Sequence, residues 1–197
     1  MSLILYSYFR STSSYRVRIA LNVKGLPYEI KPVHLLKGGG EQYSADYKKL
    51  NPRGEVPCLI HDKRAFSQSM AILEYLDQVF LDKKLFPVVA ADGAIVRQIC
   101  EGINSGIQPL QNLKVLQKIE KDFGATQEVK TAWAKYWITE GFIGLEKLLE
   151  KHAGQFSFGN ELTAADCFLV PQVFAAKRNN VDMSQFKKIQ SVNDACV

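Results

Sequence analysis

Four consecutive hydroxyl residues, Ser11, Thr12, Ser13 and Ser14, stand between a short apolar run, Leu3 to Tyr8, and a helical pattern that carries Arg16 and Arg18. Hydroxyls at a helix N-terminus lie beside backbone N–H groups without an intrahelical partner and beside the positive end of the helix dipole. Such a position favours a bound anion or thiolate. An ordinary serine cap is the competing reading of the same residues. A free thiol titrates near about pH 8.5, so a hydroxyl donor at a helix start raises its thiolate fraction at neutral pH. Gln68-Ser69, just ahead of Met70-Ala71-Ile72-Leu73, is a second place where a hydroxyl and free N–H groups suit a carboxylate, with a plain N-cap as the alternative. Between these segments Val56-Pro57 precedes a short strand. A cis bond there turns the Val56 backbone outward, where an extended peptide can pair with it as an added strand; a trans proline at a strand start is the more common local outcome.

The elements that must position these residues alternate in the first part of the chain. Strand Leu3 to Tyr8, helix Ser14 to Lys24, strand Tyr28 to Val33, a Gly38-Gly39-Gly40 loop, a short helix Ala45 to Leu50, strands Cys58 to His61 and Ala65 to Ser67, and helix Ser69 to Phe80 are expected. This order implies a small mixed sheet, and Val56-Pro57 falls where thioredoxin-like folds keep a cis proline. Beyond Asp92 the spacing predicts helices over Asp92 to Lys121, Gln127 to Lys151 and Thr163 to Arg178. The expected fold is an α/β N-terminal domain, residues 1–81, joined through 82–91 to an all-α C-terminal domain, 92–197. Thr163-x-x-Asp166 is a capping-box pattern and is assigned to folding. Trp133, Tyr136, Trp137 and Phe142 follow helical spacing and are expected in the core, as are Cys58 and Met70.

The 197 residues are 47% hydrophobic and 23% charged, which suits a chain with a real core and argues against disorder. No apolar run is long enough to span a membrane, and the N-terminus lacks the pattern of a signal peptide, so a cytoplasmic protein is expected. Cys58, Cys100, Cys167 and Cys196 are widely spaced, with no Cys-x-x-Cys pair and no clustered histidine. They read as reduced thiols, mostly packing, and no metal is expected. The net charge of +5 is interspersed with acidic residues, which argues against nucleic acid and leaves a small anionic ligand near Arg10, Arg16 and Arg18.

Taken together, Tyr6 to Ser11, Arg16 to Leu21, Asn51-Pro52, Val56-Pro57, Gln68-Ser69, Gly106-Ile107-Gln108-Pro109-Leu110-Gln111-Asn112-Leu113 and Asp166 to Val173 make nearly the whole chain resemble the zeta class of glutathione transferases, whose best-known activity is maleylacetoacetate isomerase. The resemblance implies a thioredoxin-like glutathione-binding domain with a cis proline, glutathione as cofactor, and a homodimer. It implies that Ser11 polarises the glutathione sulfur, that Thr12, Ser13, Ser14, Tyr15 and Arg16 lie along the glutathione loop, and that Gln42, Val56, Gln68, Ser69, Gln108 and Asn112 hold the tripeptide. The expected activity is cis–trans isomerisation of maleylacetoacetate in tyrosine and phenylalanine catabolism, by reversible thiolate addition. A broader transferase that conjugates electrophiles such as α-halo acids or reduces peroxides, and a non-catalytic glutathione-binding protein, are the other readings.

Arg10 and Arg178 are the candidates for the substrate's carboxylates, although an arginine at the end of a helix also satisfies the helix terminus. Arg16 and Arg18 are otherwise expected in structural ion pairs, with one of them at the glutathione site. The chain departs from the zeta pattern Ser-Ser-Cys-Ser-aromatic-Arg at Ser13, where the family carries cysteine. A serine cannot form a mixed disulfide, so dehalogenation that depends on that cysteine is disfavoured and Ser13 becomes a spectator or a second donor. The chain ends at Val197, where the resemblance implies that the family usually continues somewhat further; a truncated chain, with an incomplete last helix, and a shorter variant are the two readings.

Overall fold

The computed structural model describes residues 2–197. By its contacts the chain divides into two compact units, residues 1–86 and 87–197. The first holds strands β1 (Leu3–Ser7), β2 (Tyr28–Pro32), β3 (Cys58–His61) and β4 (Arg64–Ser67), with helices α1 (Thr12–Val23), α2 (Ala45–Leu50) and α3 (Ser69–Val79). The sheet order is β2-β1-β3-β4; β1 runs parallel to β2 and antiparallel to β3, and β3 and β4 form a hairpin. This is the mixed sheet that the element order implies, with boundaries shifted by one or two residues.

Alternation along the strands assigns the two faces of the sheet. Leu5 and Leu59 are register partners on one face. On that face Ser7 accepts a hydrogen bond from Arg18 of α1, and His61 meets Tyr75 of α3 at 2.8 Å. Tyr6, Cys58 and Ile60 point the other way, into a cluster with Val33, Tyr47 and Leu50 that α2 covers. Burial pushes the Cys58 thiol up to about 11, in keeping with a packing role. A buried ion pair ties α1 to α3: Lys24 Nζ lies 3.0 Å from Asp77 Oδ1 and also donates to the carbonyls of Asp82 and Lys83. Asp77 Oδ1 in turn accepts the Leu85 N–H at 2.7 Å, so residues 82–86 are fastened to the first unit.

The second unit holds α4 (Ala90–Asn104), α5 (Leu113–Phe123), α6 (Gln127–His152), α7 (Ala164–Arg178) and α8 (Lys187–Cys196). The single helix expected over Asp92 to Lys121 is two helices. Pro109 lacks the N–H that an α-helix interior needs, and a 3₁₀ turn over Gln108–Gln111 separates α4 from α5. Asn112 restarts the chain as a helix by accepting the Lys114 N–H on its Oδ1 at 3.2 Å. Helix α7 is buried nearly throughout and forms the middle of this unit. Its start has the expected box: the Asp166 carboxylate takes the Thr163 N–H at 2.7 Å and its hydroxyl at 3.1 Å. The same carboxylate accepts the Ser157 N–H, and the Cys196 thiol lies 3.9 Å from it. Burial and that carboxylate push the Cys196 thiol up to about 12. Helix α8, absent from the pattern reading, is capped from a distance, because Glu146 of α6 accepts the N–H groups of Lys188 and Ile189 at 2.7 and 2.9 Å.

The aromatic set of α6 divides. Phe142 is in the core, whereas Trp133 and Tyr136 are 36% and 57% exposed, which corrects the expectation that they pack inside. Helical spacing places side chains on a face but does not say whether that face is covered. Trp133 spends its indole N–H on the carbonyl of Leu110 at 2.8 Å, bracing the 3₁₀ turn. No helix among the described residues is long and apolar enough to cross a membrane.

Candidate functional site

Helix α1 begins at Thr12, two residues earlier than expected, so Ser11 is its N-cap. A turn closes from the Ser11 N–H to the Tyr8 carbonyl, and the Ser11 carbonyl then accepts the first helical bond, from Tyr15. Ser11 Oγ accepts the Ser14 N–H at 3.1 Å. That bond uses a lone pair and leaves the hydroxyl proton of the half-buried Ser11 for another acceptor. Thr12 is buried. Ser14 Oγ is fully buried and has no hydrogen-bond partner among the described residues. Ser13 and Tyr15 are half-buried, and Arg10 is exposed beside Phe9, itself 73% exposed.

The two arginines of α1 part company. Arg18 donates to Ser7 Oγ at 2.9 Å, reaches the carbonyls of Tyr8 and Phe9 at 3.5 Å, and lies over the Tyr15 ring. These contacts brace the β1–α1 turn with neutral acceptors, in place of the ion pair expected. Arg16 turns inward, is 1% exposed, and donates from Nη1 to Ser69 Oγ at 3.0 Å. It therefore links the start of α1 to the start of α3.

At that second helix the N-cap position belongs to Gln68, held at φ 70°, and Ser69 is the first helical residue. No side chain caps this end. The first intrahelical bond runs from the Ile72 N–H to the Gln68 carbonyl, so the N–H groups of Ser69, Met70 and Ala71 precede it and have no helical carbonyl to meet. With the Arg16 guanidinium donating to Ser69, this end of α3 gathers hydrogen-bond donors.

The hairpin brings Val56 to the same place. Cys58 opposes Ser67, which sets Val56-Pro57 alongside Gln68-Ser69, and Gln68 Nε2 approaches Glu55 Oε2 at 3.5 Å. The Val56–Pro57 peptide is cis, and the β3 ladder begins only at Cys58, so Val56 stands outside it. The side chain of Val56 meanwhile packs on the cluster under α2.

Gln42 follows the glycine loop and is buried. Its Nε2 donates to the Leu35 carbonyl at 3.3 Å, and its Oε1 is buried without a hydrogen-bond partner among the described residues. Gly40 sits at φ 106°, which side chains rarely adopt, and a Cβ there would fall 2.5 Å from Gln42 Nε2 and displace the Gln42 amide. Ser11, Arg16, Val56, Gln68, Ser69 and Gln42 thus all belong to the first unit. So do Arg10 and Thr12 to Tyr15, whereas three predicted residues lie in the second: Gln108 opens the 3₁₀ turn, Asn112 caps α5, and Arg178 ends α7, exposed, with its guanidinium 5.9 Å from the Phe174 ring centre. Sequence reasoning missed the contact of Arg16 with Ser69, because the two are 53 residues apart and nothing local signals it.

Residues 1–78 match the family described as Glutathione S-transferase, N-terminal domain. A maleylacetoacetate isomerase of Dictyostelium discoideum is 48% identical over 190 residues, covering 96% of this chain and 86% of that protein. A solved holo structure of a maleylpyruvate isomerase, described as a bacterial zeta-class glutathione S-transferase, superposes with a TM-score of 0.94 at 39% identity, over 100% of this chain and 92% of that one. A maleylacetoacetate isomerase of Anaeromyxobacter dehalogenans, solved with glutathione bound in its active site, gives 0.87 at 39% identity, over 99% and 90%.

Proposed function

Because the chain belongs to the zeta-class glutathione transferases and maleylacetoacetate isomerases, we propose that it isomerises maleylacetoacetate from cis to trans with glutathione as cofactor. On this reading it serves tyrosine and phenylalanine catabolism in the cytoplasm, as a homodimer; these three points rest on kinship. The observation that carries the reading is the N-cap Ser11, whose hydroxyl accepts from Ser14 and keeps its proton to donate.

The first unit suits a γ-glutamyl tripeptide. The free N–H groups of α3, the Ser69 hydroxyl and the Arg16 charge suit its α-carboxylate, and Val56, outside the ladder, suits its extended backbone. The buried, unpaired Oε1 of Gln42 is an acceptor in want of a donor. When bound, glutathione supplies a thiolate that adds to the conjugated double bond, allows rotation about the resulting single bond, and leaves unchanged. Ser11 donates a hydrogen bond to the sulfur and, with the dipole of α1, holds it ionised. Thr12, Ser13, Ser14 and Tyr15 complete the turn, with Ser13 as a second donor at most. By kinship, Gln108 and Asn112 are read as further contacts of the tripeptide, and Arg10 and Arg178 as partners of the substrate's carboxylates.

Ultraviolet thiolate absorbance of bound glutathione, titrated against pH, tests the role of Ser11. A hydrogen bond to an ionised group is worth roughly 1.5–3 kcal/mol, and about 1.4 kcal/mol is one pKa unit. Ser11→Ala therefore raises the pKa of the bound thiol by about one to two units, and Ser13→Ala by much less. A larger rise in Ser13→Ala would transfer the role to Ser13.

A further inference from the structure

The loop that delivers Gln42 is held by an imidazole used as a hydrogen-bond acceptor. His34 Nδ1 receives the Lys37 N–H at 2.9 Å and the Leu36 N–H at 3.2 Å. Backbone amides only donate, so the nitrogen facing them carries a lone pair, and the ring proton of the neutral side chain is on Nε2. Three further bonds close the loop on the same residue and its neighbour. The His34 N–H donates to Glu41 Oε2 at 2.7 Å, the His34 carbonyl accepts the Glu41 N–H at 2.9 Å, and Gln42 Nε2 donates to the Leu35 carbonyl at 3.3 Å. The segment between carries Gly38, Gly39 and Gly40, all at positive φ, so it has little conformational preference of its own. Its order comes from its two ends.

We propose that His34 is a positioning residue of the tripeptide site, acting through the Lys37–Gly40 turn to set Gln42, and that it does so only as the neutral imidazole. This rests on the reading of Gln42 as a glutathione contact. A doubly protonated imidazole has no acceptor atom, so acid conditions replace two hydrogen bonds at Nδ1 with two opposed donors, and the turn loses its anchor. The titratable and charged groups around the ring are the Tyr8 phenol, whose ring meets the imidazole edge-on at 5.1 Å, the Glu41 carboxylate on the His34 backbone, and Lys37 in the turn itself. Asparagine provides the rescue, because its Oδ1 accepts the same backbone N–H groups, as in an Asx turn, and does not titrate.

Calorimetry with S-methylglutathione, which has no thiol to titrate, reads the effect at pH 7.5 and pH 5.5. At pH 7.5 His34→Ala weakens binding about tenfold, the scale of one to two lost neutral hydrogen bonds, while H34N stays within about twofold of wild type. At pH 5.5 the wild type loses several-fold in affinity and H34N does not. Amide hydrogen exchange on the ligand-free protein reads the anchor separately, with the protection factors of Leu36, Lys37 and Glu41, taken relative to the intrinsic rate at each pH, lower in His34→Ala and at low pH, but not in H34N. Equal affinity and equal exchange in His34→Ala and wild type overturn the inference while the glutathione reading stands. A wild type that binds no S-methylglutathione overturns the glutathione reading, and the positioning role with it.

Discussion

Arg16 is a full positive charge in the interior of the first unit, and one of its acceptors is the hydroxyl of Ser69. A guanidinium only donates, so Ser69 Oγ spends a lone pair on it and keeps its own proton to donate. Buried charge is costly unless hydrogen-bonded, and a carboxylate docked at this helix end adds a charge of opposite sign. Ser69→Ala therefore weakens glutathione binding by about 1–3 kcal/mol, the range for a charge-assisted hydrogen bond and its desolvated partner. Calorimetry showing unchanged affinity would remove Ser69 from the site. Ser11, Val56-Pro57 and Gln68-Ser69 were legible in the sequence because each acts through its nearest neighbours: a cap, a strand start, a helix start. The contact of Arg16 with Ser69 and the role of His34 were not, since one spans 53 residues and the other works through the lone pair of a ring, which no local pattern marks.

At the scale of elements, the second unit shows helices whose ends are completed by carboxylates of other segments. Asp166 serves the start of α7 from within and the Ser157 N–H from outside, and Glu146 of α6 takes the N–H groups of Lys188 and Ile189 in the first turn of α8. Removing the Glu146 carboxylate leaves the Ile189 amide buried and unpaired. Glu146→Ala is expected to cost about 1–3 kcal/mol in denaturant unfolding and to speed amide exchange along α8 ahead of the rest of the unit. A stability within about 0.5 kcal/mol of wild type, with α8 exchange unchanged, would show that α8 does not depend on this cap. The same dependence explains what the sequence hid. Helix α8 is short and carries no cap of its own, so its pattern is weak until α6 is in place. The break between α4 and α5 was hidden for the opposite reason: apolar spacing continues through it, and only Pro109 and the cap at Asn112 mark the interruption. The capping box at Thr163, by contrast, is complete within four residues and was read correctly.

For the whole molecule, the residues proposed for the tripeptide are Ser11, Val56, Gln68 and Ser69 of the first unit and Gln108 and Asn112 of the second, and Arg178, proposed for the substrate, is also in the second. The proposed homodimer is checked by sedimentation at micromolar concentration, where a mass near twice that of one chain is expected and the mass of a single chain alone would contradict it. The central claim concerns turnover. With maleylacetoacetate as substrate, the purified protein is expected to form the trans isomer only when glutathione is present, and the glutathione concentration is expected to be the same at the end as at the start, because the thiolate leaves after rotation. No isomerisation in the presence of glutathione, or stoichiometric loss of glutathione into a stable adduct, would contradict the account and favour a binding protein or a conjugating transferase respectively.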